Sequence, residues 1–401
     1  MSENSELTGI VLAVKIKVLH IVTRLGPGGV TETLRALSKY VNKGAFEFFF
    51  VSGLENDLKL DKSKKAIAGG MNLKIIPGLK RNINPWSDLL SLISLYLFIK
   101  KGNFDIVHTH TSKAGFLGRI AARLAKVPVT IHQPHGHVFK GMFDFFTTRL
   151  FIFLEKTAAL ITDKIITVTR LGKEEHIRYG IASPDKFIVI PSGIDLERFL
   201  KVEVDIKKGR RDLGIENEYP IVGTVAHLVK RKGYLYLLKA ISQVKKIHSK
   251  IKVLIVGEGA LRPHLEKQVK KMGLERNFLF LGEREDVEVI YPLLDLFVLS
   301  SVNEGMGRVL IEAMASGRPV AAARIMGIPE LVIDGLTGRL ASPKDSDALA
   351  EAIIDLLGDK EKLSKMGLAA KKKVEASSQF DDKVMVKRIE SLYQELTKSI
   401  F

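Results

Sequence analysis

The stretch Ser300-Ser-Val-Asn-Glu304-Gly-Met-Gly-Arg308-Val-Leu-Ile-Glu312-Ala-Met-Ala-Ser-Gly317-Arg-Pro319 decides how this chain is read. An apolar run from Leu293 to Leu299 precedes it and predicts a buried strand. Gly305 and Gly307 predict a tight loop, and Arg308 to Ser316 predicts a short helix. Gly317 caps that helix, Pro319 lies just past the cap, and Val320 to Ala323 resumes an apolar run. Strand, loop, helix, strand is the unit of a parallel sheet. Its loop and helix start lie at the carboxyl edge, where open α/β sheets bind ligands.

The chemistry of the unit lies in Glu304 at the loop and Glu312 inside the helix. Gly305 and Gly307 allow close approach of backbone to ligand, and the first N–H groups of the helix favour an anion or a hydrogen-bonding polar group. Carboxylates at such an edge accept from hydroxyls, so the pair suits the two sugars of a nucleotide-sugar. A lone pair of glutamates at this spacing is more often a loop charge and a solvated helix residue. The surrounding motifs decide between the two readings.

Glu304-Gly305-Met306-Gly307 through Glu312-Ala313 and Gly317-Arg318-Pro319-Val320 resembles the signature of retaining family 4 glycosyltransferases of the GT-B fold. Further pieces resemble that family in order and spacing. They are Gly223-Thr224-Val225-Ala226-His227-Leu228 with Lys232-Gly233, Val256-Gly257-Glu258-Gly259, Phe280-Leu281-Gly282, Gly327-Ile328-Pro329-Glu330 and Asp334-Gly335-Leu336-Thr337-Gly338. In the first half, Arg24-Leu25-Gly26-Pro27-Gly28-Gly29, His108-Thr109-His110, His135-Gly136-His137 and Pro191-Ser192-Gly193-Ile194-Asp195 resemble it too. The match runs from Lys17 to Phe380.

The resemblance implies an α/β fold of the GT-B type, with two Rossmann-like, doubly wound parallel-sheet domains facing a cleft. It implies a nucleotide-sugar donor held by Gly28, Gly29, His227, Lys232, Leu281, Glu304, Gly305, Met306, Gly307, Arg308 and Glu312. Lys232 would face the diphosphate, Glu304 the donor sugar and Glu312 the ribose. His135 would stand near the reacting sugar, with Glu304, His135 and Lys232 as the catalytic set and His110 at the acceptor. Many relatives carry an arginine where this chain has His227, which leaves the second diphosphate ligand open between Arg231 and Arg24. His108, His110, His132 and His135 crowd at strand ends and raise a metal cluster as an alternative. The resemblance implies neither metal nor cofactor. The segments around His110 and His135 are similar to those of enzymes that build bacterial surface polysaccharides on lipid carriers. A saccharide or lipid-linked saccharide is therefore the expected acceptor, and a UDP-sugar the first expected donor. A sugar-nucleotide epimerase or hydrolase of the same fold, and a non-catalytic binder of polyanions or membrane, are the rival readings.

A chain of 401 residues that is 46% apolar exceeds a single core and predicts two domains. The expected division is residues 1–199, with a final helix in 378–401 crossing back, and residues 200–377. Zero cysteines exclude disulfides and thiol chemistry. The longest apolar run, Leu89 to Ile99, falls short of the roughly 18–20 residues of a membrane span. The N-terminus lacks the pattern of a cleaved leader, so the cytoplasm is expected. Net charge is +17, and about +11 of it falls before Leu196. That basic, aromatic-bearing half is expected to meet an anionic membrane surface at the inner face of the cell membrane. Nucleic acid is not expected as a partner, because the lysines are scattered and no nucleic-acid motif accompanies them.

Alternating strands and helices fill both halves. In the first, Lys17 to Thr23, Phe46 to Ser52, Leu73 to Ile76, Asp105 to Thr109, Val127 to His132, Lys164 to Val168 and Lys186 to Ile190 predict strands. Ser87 is the expected N-cap of a helix to Lys100. Phe199 to Gly214, Lys-rich and weakly patterned, predicts a linker. Phe380, Val384, Ile389, Leu392 and Tyr393 are the expected apolar contacts of the final helix.

Overall fold

The computed structural model describes residues 15–26, 28–53, 72–136, 139 and 143–398. Pro27, His137, Val138 and the polar N-terminus lie outside them. Among the described residues, β1 (Ile16–Val22), β2 (Phe46–Gly53), β3 (Asn72–Ile76), β4 (Ile106–His110), β5 (Val129–Gln133), β6 (Lys164–Thr167) and β7 (Phe187–Val189) form one parallel sheet in the order β3-β2-β1-β4-β5-β6-β7. A second parallel sheet has the order β10-β9-β8-β11-β12-β13. Its strands are β8 (Ile221–Val225), β9 (Lys252–Val256), β10 (Phe278–Gly282), β11 (Leu296–Leu299), β12 (Val320–Ala323) and β13 (Gly338–Ala341).

Helices cover both faces of each sheet, so the central strands β4, β11 and β12 are buried throughout; β11 and β12 read as unbroken apolar runs, while β4 carries His108, Thr109 and His110. Strand order reverses between β1 and β4 in one sheet and between β8 and β11 in the other. Each reversal splays the loops at the carboxyl edge and opens a crevice. The crevices face each other.

Helix Gly29–Tyr40 and the final helix Asp382–Thr397 share one face of the first sheet, where Leu34, Leu37, Met385, Ile389 and Tyr393 join the core. Helices Pro85–Gly102 and Ser112–Leu124 cover the other face through Leu95, Ile99, Leu117 and Ala121. The chain passes between the domains twice, and the passages are hydrogen-bonded to each other. Ile194 N–H donates to the Phe380 carbonyl at 2.8 Å, and Asp382 N–H donates to the Ile194 carbonyl at 2.9 Å. No helix among the described residues is long and apolar enough to cross a membrane.

Several local expectations are corrected. Asn84 caps helix Pro85–Gly102 by accepting from Ser87 N–H; Ser87 sits inside the helix and its hydroxyl donates to the Gly78 carbonyl. The expected linker instead contains helix Ile206–Asp212 and the end of helix Leu196–Leu200. Arg210 is buried there. Its guanidinium reaches Asp295 and the Leu293 carbonyl, at 2.9 and 2.8 Å, and so plugs the foot of β11. A string of basic residues hides such a role, because one paired arginine reads like its solvated neighbours. Phe380 packs into the second domain's core, whereas the final helix uses Met385 and Val386 on the first; Val384 is only half-buried.

Candidate active site

The facing edges enclose a cleft of about 370 Å³. Its floor comes from two loops of the second domain, one after β8 and one after β11, which are tied together. Ser300 Oγ donates to the Lys232 carbonyl at 3.0 Å, and Val302 N–H donates to the Arg231 carbonyl at 2.8 Å. At Gly233 a Cβ would collide with the Ser300 carbonyl, and the residue takes φ +69°, so glycine alone permits the two loops to meet. That contact delivers the Lys232 ammonium to Glu304, whose carboxylate also accepts from Ser301 Oγ at 3.2 Å. Burial pushes the Glu304 carboxyl up. The charges of Lys232 and Arg231, with hydrogen bonds from Lys232 and Ser301, outweigh burial and hold it below the usual carboxylate range.

Glu312 follows on helix Arg308–Ala315, just over one turn past the loop, and accepts from Tyr291 Oη at 2.7 Å. Burial raises its carboxyl above the ordinary value against the opposing effects of that hydrogen bond and of Arg308. Arg308 opens the same helix. Its Nη1 is buried with no hydrogen-bond partner among the described residues.

The first domain contributes Gly28, Gly29 and His135 to the cleft. A Cβ at Gly28 would lie 3.9 Å from His227 Nε2, and one at Gly29 would lie 3.4 Å from Arg308 Cδ, so this loop closely overhangs the floor. Helix Gly29–Tyr40 and helix Arg308–Ala315 both begin at the cleft and aim the N–H groups of their first turns there. His135 has φ +59°, the left-handed region that non-glycine residues seldom occupy. Its carbonyl stands where a Cβ of Gly305 would be. The two domains thus touch backbone to backbone beside Glu304. A second bridge lies behind: Glu330 accepts from Arg170 N–H at 3.0 Å and Leu171 N–H at 2.5 Å.

Behind His135 runs a row of fully buried imidazoles. His135 Nε2 lies 2.9 Å from His110 Nδ1, and His110 Nε2 lies 3.1 Å from His20 Nδ1. Each neutral imidazole carries one N–H, so the tautomers along this row are coupled. His108 Nδ1 pairs with Tyr393 Oη at 2.6 Å, and His132 Nδ1 with Thr109 Oγ1 at 2.9 Å. Burial lowers the pKa of all five, His20 and His135 to about 3, and the Arg308 charge adds to the effect on His135. Ligand atoms of His20, His108 and His110 lie within 4.8 Å of one another, a donor set a metal ion could use; the hydrogen bonds above leave Nε2 of His20 and of His108 without one.

The structure brings together Gly28, Gly29, His135, His227, Lys232, Glu304, Met306, Gly307, Arg308 and Glu312 as cleft-lining residues. Gly305 lies beside them against His135. His110 does not line the cleft and meets it only through His135. Leu281 packs against the core, and Glu283 and Arg284 line the cleft next to it. The sequence reading missed Glu283, Arg284 and Val287, which lie outside the glycine-rich motifs, and quoted Glu258 within a motif without giving it a place in the site.

Two family profiles match the chain. "Glycosyltransferase Family 4" covers residues 27–198 and "Glycosyl transferases group 1" residues 205–373. The UDP-Gal:alpha-D-GlcNAc-diphosphoundecaprenol alpha-1,3-galactosyltransferase of Escherichia coli is 36% identical over 291 residues, spanning 71% of this chain and 74% of that protein. The capsular polysaccharide biosynthesis glycosyltransferase CapM of Staphylococcus aureus is 27% identical over 398 residues, 95% of this chain and 98% of its own length. The fold is similar to that of Anabaena HepE in complex with UDP and glucose, with a TM-score of 0.79 and 23% identity over 95% of this chain and all of that one.

Proposed function

The chain belongs to the group 1 glycosyl transferases, and from that membership we propose that it is a retaining enzyme. It moves a hexose or N-acetylhexosamine from a UDP-sugar to a hydroxyl of a lipid-linked saccharide. One observation carries the reading: the buried Lys232–Glu304 pair lies in the same cleft as Glu312 and the two helix N-termini. A diphosphate entering there competes with Glu304 for the Lys232 ammonium, and Glu304, once released, is free to accept from the hydroxyls of the donor sugar. Glu312 accepts from the ribose. The N–H groups at Gly28, Gly29 and Arg308, with the Arg308 guanidinium, take the remaining phosphate oxygens. Arg308 thereby supplies a second cation beside Lys232.

In the reaction, the bond from the anomeric carbon to the β-phosphate oxygen breaks while the acceptor oxygen bonds to that carbon on the same face. The acceptor proton passes to the departing phosphate oxygen. Lys232 and Arg308 stabilise the charge that develops on the leaving group. Closure of the two edges excludes water from the oxocarbenium-like state. The donor choice is supported by the similar structure that holds UDP and glucose. The acceptor choice is supported by the relative whose name specifies a diphosphoundecaprenol-linked GlcNAc. The test is thermal shift with UDP-, GDP-, ADP- and CMP-sugars on this chain and on Glu312→Ala, followed by transfer of the stabilising sugar to a polyprenyl-diphosphate-linked saccharide. Selective stabilisation by a UDP-sugar, weakened in the variant, and transfer with the anomeric configuration kept are expected. Preference for another nucleotide would sink the donor assignment; donor turnover without transfer would sink the acceptor assignment.

A further inference from the structure

Two helices of the first domain are apolar on the side that faces away from it. In Pro85–Gly102, Ser91, Leu95 and Ile99 face the core, while Trp86, Leu90, Ile93 and Leu97 form a second stripe at helical spacing that is exposed; Trp86 is 78% exposed. In Phe145–Leu160, only Ala158 and Ala159 are buried. Phe146, Leu150, Phe153 and Leu160 form the exposed stripe, with Phe146 82% exposed. Both helices pack against Ser112–Leu124, Phe145–Leu160 through the buried Arg119 paired with Glu155 at 2.9 Å, so the two helices flank one shared neighbour. Exposed apolar stripes repeated at helical spacing on two neighbouring helices mark an interaction site.

Its charges choose the partner. Lys100 continues the first stripe, and Arg149 and Lys156 interleave the second, with the Arg149 guanidinium 4.9 Å above the Phe145 ring. The carboxylates of the two helices are engaged: Asp88 pairs with Lys113, Glu155 with Arg119, and Asp144 caps its own helix. A second copy placed on this face by two-fold symmetry would set cation against cation. An anionic bilayer complements both features, since rings and aliphatic chains enter the acyl boundary while Lys and Arg meet phosphates.

Position adds a third argument. Each helix leads into a parallel strand, β4 or β6, so each begins at the carboxyl edge of the sheet, the edge that bears the cleft. Trp86 and Phe146, each in the first turn of its helix, are therefore on the cleft side. We propose that this face docks on an anionic lipid bilayer and sets the cleft mouth at the headgroups; the benefit of docking, though not docking itself, rests on the lipid-linked acceptor reading above.

The test is sedimentation of the full chain with phosphatidylcholine vesicles, with and without about 30 mol% phosphatidylglycerol. Three surface variants are compared: Trp86→Ser/Leu90→Ser, Phe146→Ser/Phe153→Ser, and Lys100→Glu/Arg149→Glu. Binding only to the anionic vesicles, weakened at least about tenfold by each double variant and largely reversed by about 0.5 M salt, is expected. An unchanged thermal shift by UDP shows each variant folded. Equal sedimentation of parent and variants, or none with either vesicle, overturns the proposal. So does a concentration-dependent dimer that the same substitutions dissociate, because a second copy would then cover the face. Anionic-vesicle binding without sugar transfer would leave docking standing and overturn only the acceptor reading.

Discussion

The two domains share one construction, a parallel sheet with a crevice where strand order reverses, but they fill the crevice with opposite chemistry. The second domain places a buried ion pair, Lys232 and Glu304, at its edge. The first backs its edge with buried imidazoles that burial keeps uncharged, His20, His108, His110 and His132, behind the half-buried His135. A charged pair is retained in low dielectric because each partner satisfies the other until a ligand takes one of them. A row of imidazoles is retained by staying neutral. On the proposed reading, one half exchanges partners with an anion and the other holds its shape around the reacting centre.

Acid provides the largest separation between the halves. Burial lowers the pKa of each of the five histidines, to about 3 for His20 and His135, whereas in an unfolded chain they titrate near 6.5. The unfolded state takes up protons that the folded state refuses. The stabilisation is complete above pH 6.5 and is lost as pH falls from there toward 3, at up to about 1.4 kcal/mol per pH unit for each histidine. Hydrogen exchange at pH 7 and at pH 4.5 should show the first domain opening well before the second. Simultaneous loss of both would mean that the interdomain contacts, not the histidines, set acid stability.

Lys232→Ala tests the other half. Removing a preorganised cation from a developing charge should lower turnover by about 10²–10³-fold. It also strands a buried carboxylate, which should cost about 3–5 kcal/mol in thermal stability. The double variant Lys232→Ala/Glu304→Gln should recover much of the stability and none of the activity. Recovered activity would show that the pair is structural.

A smaller effect is expected at the back of the imidazole row. His110→Phe leaves His135 in place but removes the partner that selects its tautomer, and a roughly tenfold drop in kcat with KM little changed is expected. His110→Asn, which can still hydrogen-bond, should restore part of it. An unchanged kcat would assign the row to packing alone. Smaller again, Tyr291→Phe removes the hydrogen bond to Glu312, made at 2.7 Å. A loss of about 1 kcal/mol in UDP affinity, read by titration calorimetry, is expected. No change would place Glu312 away from the ribose.

The strands were legible because their apolar runs are buried on both sheet faces; Val320–Ala323 coincides with the run read from the sequence. The Glu304-to-Pro319 unit was legible because a loop that must pass close to another backbone demands glycines at set places, and a helix that ends in a left-handed residue demands one more. Gly317 N–H to the Met314 carbonyl and Arg318 N–H to the Ala313 carbonyl complete that ending.

Other features had no local signature. Asn84 and Ser87 are both good caps, and only the Gly78 carbonyl, brought alongside by the fold, occupies the Ser87 hydroxyl. Arg210 among seven residues rich in Lys and Arg is set apart only by Asp295, which lies 85 positions away. The exposed stripes of Pro85–Gly102 and Phe145–Leu160 look like core in sequence, because hydrophobicity does not record which of two apolar faces a neighbour covers.

The sequence by itself determined two parallel sheets, the loops at their carboxyl edges and the residue types placed there, because periodicity and glycine spacing act over a few residues. Only the tertiary structure decided that Lys232 reaches Glu304, that the Gly28-Gly29 loop comes close to Arg308 and His227, and that His110 stands behind His135. Those pairings join residues about 25 to 280 positions apart, and packing geometry, not local preference, chooses among the partners such residues could find.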